Sequence, residues 1–424
     1  MSPTTVIVGS SVGGVGTARA LRIAGYAGEV VLVGEERTLP YDKPPLSKAL
    51  LAGTATAESI ALITEQDAAD AEIRLELGRA ATHLDVAEKR VVLADGTALD
   101  FDDVVIATGA RARPSPWGRP PGVHLLRTLD DAIALGEDLR RGGQLVVIGA
   151  GFIGAEVAAT ARGMGVEKVV VVDPIPVPLS RVLNPEVAGI FARLHQDRGV
   201  ETRFGVEVSD IQMADDELEV LLSDGTVLPA TTVVVGIGAI PNDDWLRNSG
   251  LQIDDGLICD EYSRAIGAPH VHAVGDVARW LHSRRGRLNR VEHWTNAVEQ
   301  AGCVAHNITQ PEQLRAYNPV EYVWSDQYDW NIQFVGRTDG ELEYIVIDGS
   351  DPARSFAVLY AEPGGRLAGA VIVNWPRAAV ASRRALLTPA SLAETREVIV
   401  KLIKVPVGPL SADRPHSRQT RIHR

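Results

Sequence analysis

The amino-acid sequence predicts an α/β protein with two Rossmann-like dinucleotide-binding domains, and two glycine-rich motifs are the main evidence. Residues 4–8 form an apolar run before GSSVGG, which starts at Gly9, and residues 145–148 form one before GAGFIG, which starts at Gly149. In such motifs a strand ends in a tight turn, and the next helix directs its free N–H groups at a pyrophosphate. Runs typical of strands and helices also alternate up to about Gly109, which favours a parallel sheet.

The second motif is complete, with Gly149, Gly151 and Gly154 at its three glycine positions. A helix is predicted from there through Met164, and the apolar strand after that helix leads to Asp173. In such domains an acidic residue about 20 positions beyond the motif accepts a hydrogen bond from the ribose 2′-hydroxyl. The sequence therefore predicts that Asp173 binds the ribose of the second dinucleotide.

The first motif departs from the pattern at one position, because Ser11 stands between Gly9 and Gly14 where a glycine is usual. Serine is small enough to let a pyrophosphate approach, but the match is weaker. The next predicted strand ends at Gly34 and Glu35, which again places an acid after the second strand. Two motifs in this context predict two dinucleotides in one chain, as in a flavoprotein that takes electrons from a nicotinamide.

The composition is that of a globular protein, with 45% hydrophobic and 23% charged residues in a chain of 424. This length predicts about three domains. The net charge of −13 argues against nucleic-acid binding, and no apolar run reaches the ~20 residues that cross a bilayer. Two cysteines, Cys259 and Cys303, form no CxxC pair, which favours the reducing cytoplasm. The histidines lack metal-ligand spacing, so no metal site is expected.

Changes of pattern along the chain predict where its domains begin and end. Residues 1–112 and 241–313 are predicted to form one dinucleotide-binding domain, because the late strand signal VHAVGD is typical of a return to the first sheet. Residues 113–240 begin in a Pro- and Gly-rich crossing and are predicted to form the second. Residues 314–410 predict an antiparallel sheet followed by helices, an α+β domain, and residues 411–424 predict a disordered tail.

More selective segments add to the two motifs: YDKPPLSKALLAG at residues 41–53, then GFIGAEVAA, AVGDVAR, VEHWTNAVEQA and VWSDQYD. On these segments, within about residues 4–335, the chain resembles the bacterial FAD-dependent NADH:ferredoxin reductases of oxygenase systems, the putidaredoxin reductase type. The resemblance implies a glutathione-reductase-like architecture with FAD- and NAD-binding Rossmann-like domains. It implies FAD and NAD(H) as cofactors, and a small acidic [2Fe–2S] or similar ferredoxin as electron acceptor.

The resemblance also implies site residues, carried over position by position. In addition to Gly9, Ser11 and Gly14, the implied FAD contacts are Gly13, Glu35, Lys48, Ala81, Arg127, Asp276 and Trp294. The implied NAD contacts, beyond Gly149, are Gly151, Ile153, Gly154, Glu156 and Asp173. Lys48 and Glu156 are the implied catalytic residues beside the reactive edge of the flavin, where a charge is costly unless it is paired. Asp173 stands where a longer glutamate is common in the family.

An absence is also informative. Disulfide reductases of this fold need a cysteine pair, and related peroxidases and oxidases use a single cysteine near the flavin, whereas residues 41–47 contain none. Electrons are therefore expected to leave from the flavin itself, which passes on the two electrons of a hydride singly. These residues leave two alternatives open. The acceptor could be rubredoxin in place of ferredoxin, or the protein could be a flavoprotein that binds or senses and turns over slowly.

The partner's docking site is predicted from charge. Small ferredoxins are generally acidic and this chain is acidic overall, so docking needs a local reversal of sign. The densest basic stretch before the tail contains Arg279, Arg284, Arg285, Arg287 and Arg290, with no acid among them. It is predicted to form a loop, and its place between Asp276 and Trp294 predicts that the loop overhangs the flavin edge.

Overall fold

The computed structural model describes residues 2–179, 182–215, 217–351, 354–403 and 421–423. The chain divides into two compact units. The first comprises Met1–Gly118, His124–Glu137 and Gly236–Pro319, and the second comprises Arg119–Val123, Asp138–Val235 and Val320–Arg424. Most of the predicted segments 113–240 and 314–410 thus fall in one unit, and the three-domain division stays a prediction.

The first unit is built on a nine-stranded sheet. In spatial order its strands are Arg287–Asn289, Ala278–His282, Leu257–Cys259, Arg264–Ala265, Ala268–Ala273, Asp103–Ile106, Thr4–Val8, Glu29–Gly34 and Ile73–Leu77. The last five are parallel to one another. The strand that precedes the first glycine motif is therefore central, which is the arrangement of a Rossmann-like domain.

Alternation along the central strand divides the core of this unit. Val6 and Val8 face one apolar cluster and Ile7 faces another. Helices Val12–Ile23 and Trp294–Thr309 pack on the Ile7 side, and the other side carries a small antiparallel sheet of strands Ala81–Asp85, Arg90–Leu93 and Ala98–Asp100. The remaining elements are helix Glu65–Asp70, the strand pair Ala110–Ala112 and Ala239–Pro241, and the 3₁₀ turns Pro44–Ser47, Glu58–Ile60, Asp244–Leu246 and Gly275–Val277. Both faces of the sheet are therefore covered by other elements of the unit.

The second unit contains the second Rossmann-like sheet. Its strands lie in the order Glu201–Phe204, Lys168–Asp173, Gln144–Ile148, Thr232–Val235 and Val123–His124, and the first four are parallel. Its helices are Phe152–Gly163 and Pro185–Asp197, and the helix Leu129–Arg141 continues the chain from the first unit into the second. A three-stranded antiparallel sheet of Val208–Ala214, Glu217–Leu222 and Val227–Ala230 precedes the last parallel strand. The glycine motif again follows a strand inside the parallel sheet.

The C-terminal part of this unit is a six-stranded antiparallel sheet. Its strands lie in the order Tyr322–Gln327, Trp330–Gly336, Leu367–Val373, Phe356–Ala361, Glu343–Asp348 and Arg421–His423. One face packs on helix Pro185–Asp197 and the other on helices Pro376–Leu387 and Leu392–Lys401. This agrees with the predicted sheet followed by helices.

Three features differ from the sequence-based expectations. The predicted basic loop contains a β-hairpin, in which Ala278–His282 pairs with Arg287–Asn289. Strand Trp330–Gly336 is not among the sequence-based expectations, although Trp330, Ile332 and Phe334 alternate with polar residues as in a half-buried strand. Arg421–His423 of the predicted disordered tail forms a strand beside Glu343–Asp348, while residues 404–420 and 424 lie outside the described residues.

Candidate functional site

The first glycine loop follows strand Thr4–Val8, and its backbone requires glycine at two positions. Gly9 has φ +115°, and a Cβ there would lie 2.1 Å from the carbonyl oxygen of Ala107. A Cβ on Gly14 would lie 1.8 Å from the oxygen of Gly9. The chain can therefore turn directly into helix Val12–Ile23, whose N-cap is Ser11. Its first N–H groups are oriented as a pyrophosphate site requires.

The carboxyl ends of the parallel strands place further predicted residues at the same edge of the sheet as this loop. Glu35 follows strand Glu29–Gly34 and is exposed. Asp276 lies in the turn just beyond strand Ala268–Ala273. Ligands of open α/β sheets bind outside the carboxyl ends of the strands, so both residues lie at the edge that a dinucleotide uses.

Arg127 and Asp276 form an ion pair, with 3.0 Å between Arg127 Nη2 and Asp276 Oδ2. The pair is half-buried, and a Cβ on Gly109 would lie 3.4 Å from the same Arg127 nitrogen. The buried Nε of Arg127 has no hydrogen-bond partner among the described residues. A buried N–H donor without a partner is uncommon, and its presence beside the predicted FAD residues fits a polar ligand there.

A polar network connects this pair to the YDKPP segment. The Tyr41 hydroxyl donates to Glu36 Oε2 at 2.6 Å and accepts from the Leu129 N–H at 2.9 Å. Burial, together with the neighbouring Glu36, raises the pKa of Tyr41. Lys43 Nζ lies 3.4 Å from the Arg127 carbonyl oxygen, and burial lowers the pKa of Lys43, with the charge of Arg127 acting in the same direction. The segment is therefore held against Arg127 by hydrogen bonds.

Trp294 and Lys48 are both attached to the same segment. The Trp294 Nε1–H donates to Asp42 Oδ1 at 2.7 Å, and burial raises the pKa of Asp42. Lys48 Nζ donates to the carbonyl oxygen of Pro44 at 3.2 Å and is half-buried. Asp42 and Tyr41 were not singled out from the sequence, although the quoted motif contains them.

The other two predicted FAD residues are apolar. Gly13 lies in the first turn of helix Val12–Ile23, where a Cβ would come within 3.1 Å of Val274 Cγ1. Ala81 begins strand Ala81–Asp85 and is half-buried. The structure thus places Gly13 at the glycine loop and Ala81 on a different element of the same unit.

The second glycine loop repeats the first. Gly149 has φ +106°, and a Cβ on Gly154 would lie 1.9 Å from the Gly149 oxygen. The central Gly151 differs, because a Cβ there would have no atom within 4 Å. Open space at the central position leaves room for a pyrophosphate. Ile153, a predicted NAD contact, is 45% exposed in the first turn of helix Phe152–Gly163.

Asp173 has a role in the structure that its sequence position did not predict. Asp173 Oδ2 accepts from the Ala150 N–H at 2.7 Å, and Oδ1 accepts from the Ile175 N–H at 2.8 Å. The carboxylate therefore fixes the glycine loop directly. Each carboxylate oxygen keeps a second lone pair, which can accept from a ribose hydroxyl. Binding of that hydroxyl by Asp173 stays a prediction.

Glu156 is a buried carboxylate, 3% exposed, on helix Phe152–Gly163. Its Oε1 accepts from the Ser325 hydroxyl at 2.8 Å, and Gln327 Nε2 donates to the Ser325 oxygen at 3.2 Å. These two residues were missed from the sequence, although VWSDQYD contains both. Lys48 and Glu156 belong to different units, and their pairing stays a prediction.

The five arginines proposed for docking are not equivalent. Arg279 Nη1 lies 2.6 Å from an Asp254 carboxylate oxygen, and Arg290 pairs with Asp255 at 3.0 Å and Glu292 at 2.7 Å. Arg284, Arg285 and Arg287 are exposed at the hairpin turn and on its second strand. The predicted basic stretch is therefore neutralised at both ends by acids that were not considered with it, and its exposed charge is concentrated at the turn.

Neither cysteine is arranged as a reactive thiol. Cys259 packs in the core of the first unit, and burial raises its pKa. Burial also raises the pKa of Cys303 to about 11. Both thiols are therefore protonated at neutral pH, and a protonated thiol is a poor nucleophile.

Comparison with known proteins identifies the family. The pyridine nucleotide-disulphide oxidoreductase family matches residues 3–301, which is more than half of the chain. The chain belongs to this family. A second family, described as reductase C-terminal, matches residues 322–398. No helix in the described part of the chain is long and apolar enough to cross a membrane.

Individual relatives match over nearly the whole chain. It is 39% identical to rhodocoxin reductase of Rhodococcus erythropolis over 398 residues, which cover 92% of both proteins. It is 39% identical to putidaredoxin reductase of Pseudomonas putida over 379 residues, 88% of each. The crystal structure of the covalent putidaredoxin reductase–putidaredoxin complex matches with a TM-score of 0.87 at 36% identity, covering 94% of this chain and 99% of that chain.

These comparisons confirm the resemblance to the ferredoxin reductases and the α/β fold with two Rossmann-like domains. The chain is an oxidoreductase that uses FAD and NAD(H). The residues fit these groups, because the space beside Gly151 is open and the buried Arg127 Nε–H has no hydrogen-bond partner among the described residues.

Proposed function

We propose that this protein is a reductase that takes hydride from NADH onto FAD and passes single electrons to a small iron–sulfur ferredoxin of an oxygenase system. The observation that carries the proposal is the extent of similarity, which spans 92% of both this chain and rhodocoxin reductase. Other relatives are named as reductase components of the p-cumate and benzene dioxygenase systems. The oxygenase is therefore proposed to be a cytochrome monooxygenase or a ring-hydroxylating dioxygenase.

The first unit is proposed to hold FAD. Its pyrophosphate would lie at the N-terminus of helix Val12–Ile23, and Glu35 would accept from the adenosine ribose. Arg127 and Asp276 would bind polar groups of the cofactor nearer the flavin, because the buried Arg127 Nε–H has no partner in the described part of the chain. Trp294, Lys48 and Ala81 complete the proposed contacts.

The second unit is proposed to hold NADH. Gly151 would receive the pyrophosphate, because the space beside it is open, and Asp173 would face the adenosine ribose. Ile153 offers an exposed apolar surface, and Glu156 is proposed to lie beside the nicotinamide with Lys48. When both dinucleotides are bound, FAD converts the two-electron hydride into single-electron transfers.

The proposed electron acceptor is an external protein, because neither cysteine of the chain is arranged as a reactive thiol. Thiol chemistry requires an ionisable cysteine, whereas burial raises the pKa of both Cys259 and Cys303. An external one-electron acceptor is therefore the proposed exit for the electrons, and one matched structure is a covalent complex of putidaredoxin reductase with putidaredoxin. We propose a small acidic [2Fe–2S] or similar ferredoxin that docks at the basic hairpin, chiefly at Arg284, Arg285 and Arg287, and a cytoplasmic location.

The experiment is NADH-dependent reduction of cytochrome c by the purified FAD-loaded protein, with and without an added [2Fe–2S] ferredoxin. The proposal expects rapid reduction with ferredoxin and little without it. Rubredoxin in place of ferredoxin gives the comparison arm, and preferential turnover with rubredoxin would assign the protein to that acceptor. Slow turnover with every acceptor, together with a change of assembly on reduction, would favour a sensing flavoprotein instead.

A further inference from the structure

Glu156 is held by side chains that come from the C-terminal antiparallel sheet. The carboxylate is 3% exposed and lies in the second turn of helix Phe152–Gly163. Ser325, on strand Tyr322–Gln327, is 0% exposed and donates its hydroxyl to Glu156 Oε1 at 2.8 Å. A buried carboxylate needs such donors, because it has lost the water that would otherwise solvate it.

Gln327 determines which way the Ser325 hydroxyl points. Gln327 is 0% exposed, and its Nε2 donates to Ser325 Oγ at 3.2 Å. Residues i and i+2 of a strand project from the same face, so the two side chains share one side of the sheet. Because the Ser325 oxygen accepts from Gln327, its own hydrogen is left for Glu156. The two residues form a directed chain of hydrogen bonds that ends on the carboxylate.

The far end of this chain carries no second charge at neutral pH. His195, on helix Pro185–Asp197, is 3% exposed, and burial lowers its pKa to about 4, with Gln327 acting in the opposite direction. His195 Nδ1 lies 2.8 Å from the Tyr328 hydroxyl oxygen. Because the His195 imidazole is neutral, it places no positive charge that would attract the Gln327 amide oxygen and turn the amide away from Ser325. The Gln327 Nε2 donates to Ser325, and the buried Gln327 Oε1 has no hydrogen-bond partner among the described residues.

We propose that Ser325 and Gln327 are positioning residues that orient the Glu156 carboxylate for binding of the nicotinamide half of NADH. This inference rests on the proposed function, in which Glu156 lies beside the nicotinamide. It assigns to the C-terminal sheet a part in the NADH step: strand Tyr322–Gln327 supplies the hydroxyl that fixes the carboxylate. Without that hydroxyl, one oxygen of Glu156 loses a partner and the side chain gains rotational freedom.

The test compares Ser325→Ala with Ser325→Thr, which keeps a hydroxyl, and with Gln327→Met, which keeps the length but removes the donor. Ser382→Ala is the matched control, because Ser382 is also 0% exposed in this unit and its hydroxyl has no hydrogen-bond partner among the described residues. Each variant is checked for FAD content and thermal unfolding. The readouts are NAD⁺ affinity by calorimetry and the rate of FAD reduction by NADH in rapid mixing.

The expected result for Ser325→Ala is a loss of about tenfold in NAD⁺ affinity or in the reduction rate, the size of one lost hydrogen bond to a charged group. We expect a smaller loss for Gln327→Met, recovery in Ser325→Thr and no change in Ser382→Ala. In a Glu156→Gln background, Ser325→Ala should add little, because the charged carboxylate that the hydroxyl orients is already absent. Additive losses in the double variant would overturn the positioning role of Ser325 and leave the proposed function standing. The same conclusion would follow if Ser325→Ala behaved like the wild type while Glu156→Gln was impaired. A Glu156→Gln protein that binds NAD⁺ and is reduced normally would overturn the role of Glu156 itself, and the inference with it.

Discussion

Arg127 Nη2 lies 3.0 Å from Asp276 Oδ2, although 149 positions separate the two residues in the chain. Asp276 follows a strand of the parallel sheet, and Arg127 precedes the helix Leu129–Arg141. The ion pair therefore joins a strand end, where the fold directs a dinucleotide, to a segment outside the sheet. Arg127 retains a buried Nε without a partner in the described part of the chain, so it is poised to bind another group.

The first prediction is that the purified protein contains about one non-covalent FAD per chain and that Arg127→Ala retains it less well. Loss of a hydrogen-bonded charge is expected to weaken FAD binding by about tenfold. Fluorescence of FAD released during dialysis measures retention, and Arg19→Ala, which removes an exposed arginine of the same unit, is the control. Release of FMN on heating, or equal retention in both variants, would contradict the assignment.

The second prediction is a preference for NADH over NADPH. Asp173 places a carboxylate near the proposed ribose, where a 2′-phosphate would bring like charges together at a cost of several kcal/mol. Because Asp173 also accepts from the Ala150 and Ile175 N–H groups, Asp173→Asn should weaken binding of both cofactors while it narrows the preference. Steady-state kcat/KM for each cofactor measures this. Equal efficiencies in the wild-type protein would show that Asp173 does not face the ribose.

The glycine loops illustrate what could be predicted from the sequence. Gly9 and Gly14 are required by local backbone geometry, so a short motif identifies them, and the same holds for Gly149 and Gly154. Parallel strands then place the residues after each strand, such as Glu35, at a common edge. These relationships are local or follow from the order of the strands.

The partners of the site residues could not be predicted in the same way. Ser325 contacts Glu156 across 169 positions, and neither residue has a local pattern that identifies the other. From the sequence, Arg279 and Arg290 count as free basic charge, because two of the acids that pair with them lie 25 and 35 positions earlier in a different segment and Glu292 lies just beyond the basic stretch. Side-chain contacts between distant segments depend on packing, which periodicity and composition do not specify.

The third prediction concerns Lys48 and Glu156. If they pair beside the flavin, removal of one charge leaves the other uncompensated, at about 3–5 kcal/mol. We expect Lys48→Ala to lower FAD retention or hydride transfer and Glu156→Ala to impair the nicotinamide step. The double variant should be no worse than the more impaired single variant. Rapid-mixing rates of FAD reduction by NADH provide the comparison, and fully additive losses would show that the two residues do not interact.

The fourth prediction is a loss of stability in mild acid that depends on His195. Burial lowers the pKa of His195 from 6.5 to about 4, so the unfolded chain binds a proton more readily than the folded one. The contribution of neutral His195 to the free energy of unfolding is complete above pH 6.5 and is lost as the pH falls toward 4. Between pH 8 and pH 5 the loss in the free energy of unfolding is about 2 kcal/mol.

Thermal unfolding at pH 8 and pH 5 measures this effect as a difference within each protein. His195→Gln should show a smaller decrease in Tm between the two pH values than the wild type, even if the variant is less stable at both. His83→Gln, which alters a histidine of the other unit, should keep the full decrease. An unchanged decrease in His195→Gln would remove His195 as its source.

The last prediction concerns the ferredoxin. Arg284 and Arg285 are exposed at the hairpin turn, whereas Arg279 and Arg290 are paired with acids, so charge reversal at the turn should act most strongly. The variant Arg284→Glu/Arg285→Glu is expected to raise KM for ferredoxin at low salt and to weaken its dependence on ionic strength, because steering by exposed charge is screened by salt. Reduction of a small artificial acceptor by NADH should be unchanged.

The control variant Arg19→Glu/Lys168→Glu reverses the same amount of charge at exposed positions elsewhere and should behave like the wild type. If both variants weaken ferredoxin turnover equally, the effect comes from net charge and the docking site lies away from the hairpin.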